Sequence, residues 1–281
     1  MASRSPRARL AIALASLRTP QWLHFCALPL AGLGGLGEMA QLVGPAQWPR
    51  VLAGCVIAGG CLGCAYGINA VAERRTDLCA AKNPLVLAPE LAALATACAV
   101  LASLLALALA VILGPWALLA CGVSLACGAA YSFAGKRVPV LGLLLNTGIF
   151  APLMAVLVVP GATPPSWAHE LALFTLLLTQ NQLIHELADE AEDRAAGAHT
   201  TARLLRPRGT VRAAIAAGLV IPLASLTLAP TRAQALLASV LAAVATAIVY
   251  AARGDPARAR VAHRGTACLG GALLWLLARL G

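Results

Sequence analysis

An all-α integral membrane protein, nine transmembrane helices in a single bundle, is expected from this sequence on three grounds. The first is composition: 60% of the 281 residues are hydrophobic and 11% are charged, against roughly 25% charged in soluble domains. With so little polar surface, lipid has to be the solvent for most of the chain. The second is continuity. Several stretches of about 20 residues carry no charge, enough for a helix to cross a hydrocarbon core. Their unbroken Leu, Ala and Val runs, without alternation, argue against a closed barrel. The third is the distribution of basic residues between the stretches, which alternates from side to side.

Taken in order, residues 1–20, MASRSPRARLAIALASLRTP, are basic around a short apolar middle. Arg18 and Pro20 stand where a small-residue cleavage site would be needed, so the segment reads as an uncleaved, amphipathic, cytoplasmic lead-in. No long polar linker divides the rest, and residues 21–281 read as one membrane domain. Spans are expected at 21–42, 50–70, 89–113, 115–134, 140–159, 167–186, 209–228, 232–252 and 261–280. Pro, Gly and charge clusters mark the connections. Of the 21 Lys and Arg residues, all but Arg50, Arg232 and Arg279 fall on the N-terminus or on the even-to-odd connections. That asymmetry places those segments in the cytoplasm. One missed or invented helix would scramble it. The net charge of +10 then calls for no nucleic-acid partner, since an anionic bilayer leaflet accounts for it.

The nine cysteines are scattered along the chain, all but Cys79 within the expected spans, and read as small buried hydrophobes. Cys61 and Cys64 form a CxxC inside a span, with no second pair to complete a metal site. The five histidines show no metal-binding spacing; His185 and His199 flank the feature that matters most.

That feature is acidic. The chain has 11 Asp and Glu residues, and Glu186, Asp189, Glu190, Glu192 and Asp193 stand together after the apolar run LALFTLLL. On a helix continuing past Ile184, Glu186, Asp189 and Asp193 share one face, while Glu190 and Glu192 point toward water or Arg194. Three aligned carboxylates repel one another unless a cation sits between them, and hard oxygen donors suit Mg²⁺. The plain alternative is a solvated helix end, salt-bridged by Arg194 and Arg203. A second stretch, GINAVAERRTDLCAAKNPLV, tips the balance. There Asn69, Glu73 and Asp77 fall at helical spacing, again at the cytoplasmic end of a span. Ionisable groups at such ends are functional by default. Two carboxylate faces with Arg74, Lys82 and Lys136 nearby describe a site for a metal-bridged diphosphate.

These residues resemble the UbiA superfamily of intramembrane prenyltransferases, whose motifs NDxxDxxxD and DxxDxxxD follow the second and sixth of nine helices. Here the first reads Asn69-Ala-Val-Ala-Glu73-Arg74-Arg-Thr-Asp77. The second reads Glu186-Leu-Ala-Asp189-Glu-Ala-Glu-Asp193, followed by Arg194, Gly197 and Thr200-Thr201. Tyr131-Ser132 and Lys136 are similar to the family's YS…K stretch. The resemblance implies a UbiA-like bundle and Mg²⁺-dependent transfer of a prenyl group from an allylic diphosphate to a hydrophobic acceptor inside the bilayer, usually an aromatic or lipid-quinone-like ring. It implies metal ligands Glu73, Asp77, Glu186, Asp189 and Asp193. Asn69, Arg74, Lys82, Lys136 and Arg203 are then the diphosphate contacts, and Asp77, Asp189, Asp193, Lys136 and Tyr131 the catalytic residues. Ala70, Glu73 and Glu186 replace the family's Asp. Residue 70 lies about 60° round the helix from Glu73, so Ala70→Asp is expected to approach the metal from its flank and keep or improve its binding.

Two other readings compete. A terpene cyclase of the same superfamily would ionise the same donor and capture the cation with the donor's own double bond. A transporter would coordinate an ion, but transporters usually bind near the bilayer midplane on broken helices, whereas these clusters lie at the edge. A CDP-alcohol phosphotransferase is excluded because no DG-x2-AR run exists.

Overall fold

The computed structural model describes residues 5–33, 48–77, 80, 82–135, 138–159, 166–195 and 197–280, and every regular element among them is helical. The chain gathers into two compact units. One comprises Met1–Leu30, Gln47–Gly135 and Gly148–Val158; the other comprises Ala31–Ala46, Lys136–Thr147 and Val159–Gly281.

The first unit opens with α1 (Pro6–Ala15), capped by the Ser5 hydroxyl, which accepts from the Ala8 amide at 3.3 Å. Arg18, in the left-handed region at φ 54°, turns the chain into the short α2 (Thr19–Trp22). A 3-10 stretch, Leu23–Gly32 with Pro29 inside it, follows. The span expected at 21–42 therefore starts as a tighter coil, and most of its second half lies outside the described residues.

Three long helices form the body of this unit: α3 (Trp48–Glu73), α4 (Ala92–Leu113) and α5 (Pro115–Phe133). Gly114, at φ 115°, breaks α4 from α5, and Pro115 starts the new helix without a lost hydrogen bond. Small residues bring the backbones together, as expected where lipid supplies no hydrophobic drive between helices. Gly60 faces Ala102 and Ala106, and Gly67 faces Ala99, so α3 and α4 are antiparallel. Cys61 touches Cys121, and Gly128 packs on Ala65, so α3 and α5 are parallel. The helix ends carrying Glu73 and Tyr131 thus lie at one end of the unit. A Cβ on Gly60 would stand 2.6 Å from the Ala102 carbonyl oxygen. Gly60→Leu is accordingly expected to cost about 1–3 kcal/mol through overpacking and to lower the thermal midpoint in detergent. Gly122→Ala, where nothing lies within 4 Å, leaves it in place.

Of the predicted span 140–159, only α6 (Leu141–Phe150) is α-helical; Ala151–Ala155 continues as 3-10 helix, Pro152 having no N–H to donate. The second unit is built from α7 (Trp167–Ala188), α8 (Glu190–Ala195), α9 (Thr201–Leu228), α10 (Arg232–Ala251) and α11 (Pro256–Leu280). α9 starts before the expected residue 209 and bends at Arg206, whose φ of 60° precedes Pro207. The capping box of Thr231 and Gln234 opens α10. α7 and α9 run antiparallel, with His169 3.0 Å from the Ser225 hydroxyl and the Gln180 amide donating to the Ala214 carbonyl at 3.0 Å. Gln180 also meets His263 at 3.1 Å and Thr246 at 3.4 Å, so one fully buried glutamine ties four helices. Gly218 makes room for it: a Cβ there would strike Gln180 and Thr246.

Five described helical segments are long and apolar enough to cross a membrane: α3, residues 89–113 including α4, α5, α9 and α10. α7 and α11 are comparably long, but carry Gln180, Asn181 and Gln182 in one case and Arg258, Arg260 and Arg264 in the other. Large side chains such as Leu101, Leu105 and Ile112 point outward from α4, a surface suited to hydrocarbon and not to water. The protein is an integral membrane protein.

Candidate active site

The first acidic stretch closes the C-terminal end of α3. The helix stops at Glu73, so Asp77 does not continue its face as the spacing predicts. A turn intervenes, held by the Thr76 and Asp77 amides, which both donate to the Glu73 carbonyl. Asn69 and Glu73 are joined by an amide-to-carboxylate hydrogen bond of 2.7 Å. Asp77 is drawn back toward the helix by two partners the sequence reading missed. The Arg18 guanidinium donates to Asp77 Oδ2 at 3.0 Å and lies 4.0 Å from Glu73 Oε2. The Asn83 amide donates to the same Asp77 oxygen at 2.9 Å and to the Ala70 carbonyl at 2.8 Å. Asn83 also accepts from the Leu85 amide and so caps the 3-10 turn Pro84–Val86.

Arg18 is 6% exposed. Its position between an apolar run and Pro20 is the only local signal of this role, and the same signal fits a positive-inside residue. Leaving a buried carboxylate without its cation is costly. Arg18→Met is therefore expected to lower the thermal midpoint clearly, with Asp77→Asn in that background recovering part of the loss. Additive effects of the two changes would disprove the pairing.

Of the cationic candidates in this unit, Arg74 turns back to donate to the Val71 carbonyl at 2.6 Å. Lys82 lies one residue before Asn83, within the same stretch. Tyr131 sits in the last turns of α5, next to Ser132, whose hydroxyl donates to the Gly128 carbonyl. Lys136 lies outside the described residues.

Ala70 corrects a sequence expectation. It is fully buried in an apolar cluster with Ala13 of α1 and with Leu85, Ala88, Leu91 and Ala95. A carboxylate at 70 would enter hydrocarbon-like packing rather than flank a metal.

In the second unit the acidic run is not one continuous helix. α7 ends at Ala188, Asp189 is its cap residue, and α8 resumes at Glu190. The turn keeps helical phase all the same. The Asp189 amide donates to the His185 carbonyl at 3.0 Å, and the Asp193 amide to the Asp189 carbonyl at 2.9 Å. His185 Nδ1 lies 3.4 Å from Asp189 Oδ2, while His199 is exposed. Glu190 pairs with Arg194 at 2.6 Å on the surface, as its spacing predicts. Asp193 is buried, and its carbonyl accepts from the Ala198 amide at 2.8 Å across Gly197, which adopts φ 68°. Arg203 folds back onto the Ala198 carbonyl. Glu186, expected among the metal ligands, has both carboxylate oxygens engaged by protein donors, the Gln182 amide at 3.3 Å and the Ala202 backbone amide at 3.0 Å.

Among the described residues no three His, Cys, Asp or Glu side chains converge as a ready-made metal cage. Mg²⁺ does not need one, because it binds through one or two carboxylates, waters and substrate phosphates. The paired hard-oxygen sets, Glu73 with Asp77 and Asp189 with Asp193, fit that chemistry.

The sequence profile of the UbiA prenyltransferase family matches residues 27–277. The chain belongs to this family. No curated protein matches it by sequence. Among solved structures, a UbiA homolog from Archaeoglobus fulgidus bound to GPP and Mg²⁺ is 18% identical, with a TM-score of 0.74 over 96% of this chain and 100% of that one. The same homolog bound to DMAPP and Mg²⁺ gives 18% identity and a TM-score of 0.75 over 95% and 99%. A structure described for digeranylgeranylglyceryl phosphate synthase is 10% identical, with a TM-score of 0.71 over 96% and 99%. At these identities the likeness concerns the fold, and it is the UbiA fold that the sequence resemblance implies.

Proposed function

We propose that this UbiA-family protein transfers a prenyl group from an allylic diphosphate to a hydrophobic, aromatic or quinone-like acceptor within the membrane. The observation that carries the proposal is the concentration of carboxylates at the ends of α3 and α7 in a chain otherwise almost free of acid. Glu73 with Asp77, and Asp189 with Asp193, are the residues that would hold Mg²⁺. Bound there, Mg²⁺ would supply the Lewis-acid stabilisation of the diphosphate that an allylic C–O cleavage needs. The A. fulgidus homolog, solved with Mg²⁺ and allylic diphosphates, supports this reading.

The remaining residues act on the substrate itself. Asn69, Arg74, Lys82, Lys136 and Arg203 bind the diphosphate, and the cations stabilise it as it departs. Arg18 and Asn83 fix Asp77, so that its carboxylate is oriented before substrate arrives. Tyr131, with Lys136, completes the catalytic set. The apolar helices exclude water from the allylic cation until the acceptor captures it.

The test is pyrophosphate release by purified protein in nanodiscs, with a panel of allylic diphosphates, with and without aromatic and quinone-precursor acceptors. Release that needs both Mg²⁺ and acceptor, with a prenylated product, is expected. Full activity in excess chelator, or no release with any donor, would sink the proposal. A cyclic product from donor alone would replace transfer with cyclisation.

The same reading puts the N-terminus and the acidic stretches on the cytoplasmic face. In a cysteine-free background, Ala195→Cys is expected to resist an impermeant thiol reagent in intact cells and to react after lysis. Thr163→Cys is expected to react in intact cells. The reverse pattern overturns the orientation.

A further inference from the structure

We propose that Glu186 is a positioning residue that caps α9 and closes the second acidic stretch into a pinned loop, and is not a metal ligand. This rests on the reading above for what the loop does, but the cap itself is a property of the metal-free chain.

The first amides of a helix have no partner inside it. At the start of α9 the residue in the cap position is Thr200, with extended backbone, yet its hydroxyl makes no capping bond. It lies buried without a hydrogen-bond partner among the described residues. The missing acceptor comes from another helix. Glu186 Oε2 takes the Ala202 amide at 3.0 Å, and Oε1 takes the Gln182 side chain, one turn earlier on α7. The carboxylate is 6% exposed. The partial positive charge of a helix N-terminus favours an oxygen acceptor there.

The contact brings residues 186 and 202 together and makes a closed loop of the chain between them, which carries Asp189 and Asp193. Other bonds fix the same turn. Thr201 Oγ1 accepts the Val140 amide at 2.9 Å, and the Thr210 hydroxyl donates to the Ala202 carbonyl at 3.2 Å across the Arg206 bend. Arg203, the residue after Ala202, is aimed by this turn. The replacement of the family's Asp by Glu at this position acquires a reason. An aspartate is one C–C bond shorter, about 1.5 Å, and would not reach the Ala202 amide from the same backbone.

Two roles for Glu186 predict opposite rankings of conservative variants. Glu186→Gln keeps an oxygen acceptor of the same length but is a poor Mg²⁺ ligand. Glu186→Asp keeps the charge and the family's own residue but loses reach. If Glu186 caps α9, hydrogen exchange of the 197–204 amides in metal-free protein stays near wild type in Glu186→Gln. It rises at least about tenfold in Glu186→Asp and Glu186→Ala. The Mg²⁺ concentration for half-maximal pyrophosphate release then shifts less than about threefold in Glu186→Gln. A Glu186→Gln variant with unchanged exchange but a Mg²⁺ requirement raised tenfold or more overturns the proposal, as does a Glu186→Asp variant indistinguishable from wild type in exchange. Wild type and Asp193→Asn, run in parallel, separate this from the prenyl-transfer reading. If wild type releases no pyrophosphate, that reading fails, while the exchange ranking still decides the cap.

Discussion

Asp193→Ala is expected to reduce prenyl transfer by at least about 10²-fold, the scale on which loss of one preorganised electrostatic contact to a developing charge is felt. Asp193 sits buried in a turn whose backbone is already fixed, with its amide bonded to Asp189, its carbonyl to Ala198, and the chain reversing at Gly197. Removing its carboxylate leaves that frame in place. The thermal midpoint should therefore fall far less than activity does, and chelation of Mg²⁺ should reproduce the loss in wild type. Steady-state pyrophosphate release across a Mg²⁺ titration reads both effects. Wild-type turnover in Asp193→Ala would remove the second acidic stretch from the mechanism. Glu190→Ala, which breaks only a surface pair with Arg194 of a kind worth about 1 kcal/mol or less, serves as the matched control and should retain activity.

Ala70→Asp is expected to destabilise the protein by several kcal/mol, on the order of the 3–5 kcal/mol that an uncompensated buried charge costs. The side chain at 70 is 0% exposed and packs among Ala13, Leu85, Ala88, Leu91 and Ala95, whose side chains offer a carboxylate no donor. Lower expression and a lower thermal midpoint in the absence of metal are the expected signatures. Ala70→Ser, smaller in its demand and uncharged, should be tolerated better. An unchanged midpoint together with tighter Mg²⁺ binding in Ala70→Asp would mean that the carboxylate escapes the cluster and reaches the metal. That outcome would restore the expectation drawn from helical spacing alone.

The contrast between these two positions marks how far the sequence was legible. Asp193 could be picked out because acid is scarce in this chain and its spacing from Asp189 survives the break between α7 and α8. Ala70 could not be judged by the same means. Helical phase says which way residue 70 points relative to Glu73, but not that α1 and residues 85–95 fold over it.

The helical membrane class, the places where most of the long helices run and the two acidic stretches are all written in the order of residues. Each of these follows from local quantities: uninterrupted apolar length, Pro and Gly punctuation, and the rarity of charge. The sequence motifs also carried the family. Tertiary structure alone decided that Arg18 grips Asp77 across 59 residues, that Asn83 binds the same oxygen, and that Glu186 caps a helix beginning at Thr201. Such pairs depend on which helix faces pack and how closely backbones approach, and small residues such as Gly60, Gly67 and Gly128 set that approach. Periodicity describes one helix at a time and holds no record of its neighbour, so the partners of a buried charge become visible only when the helices are packed.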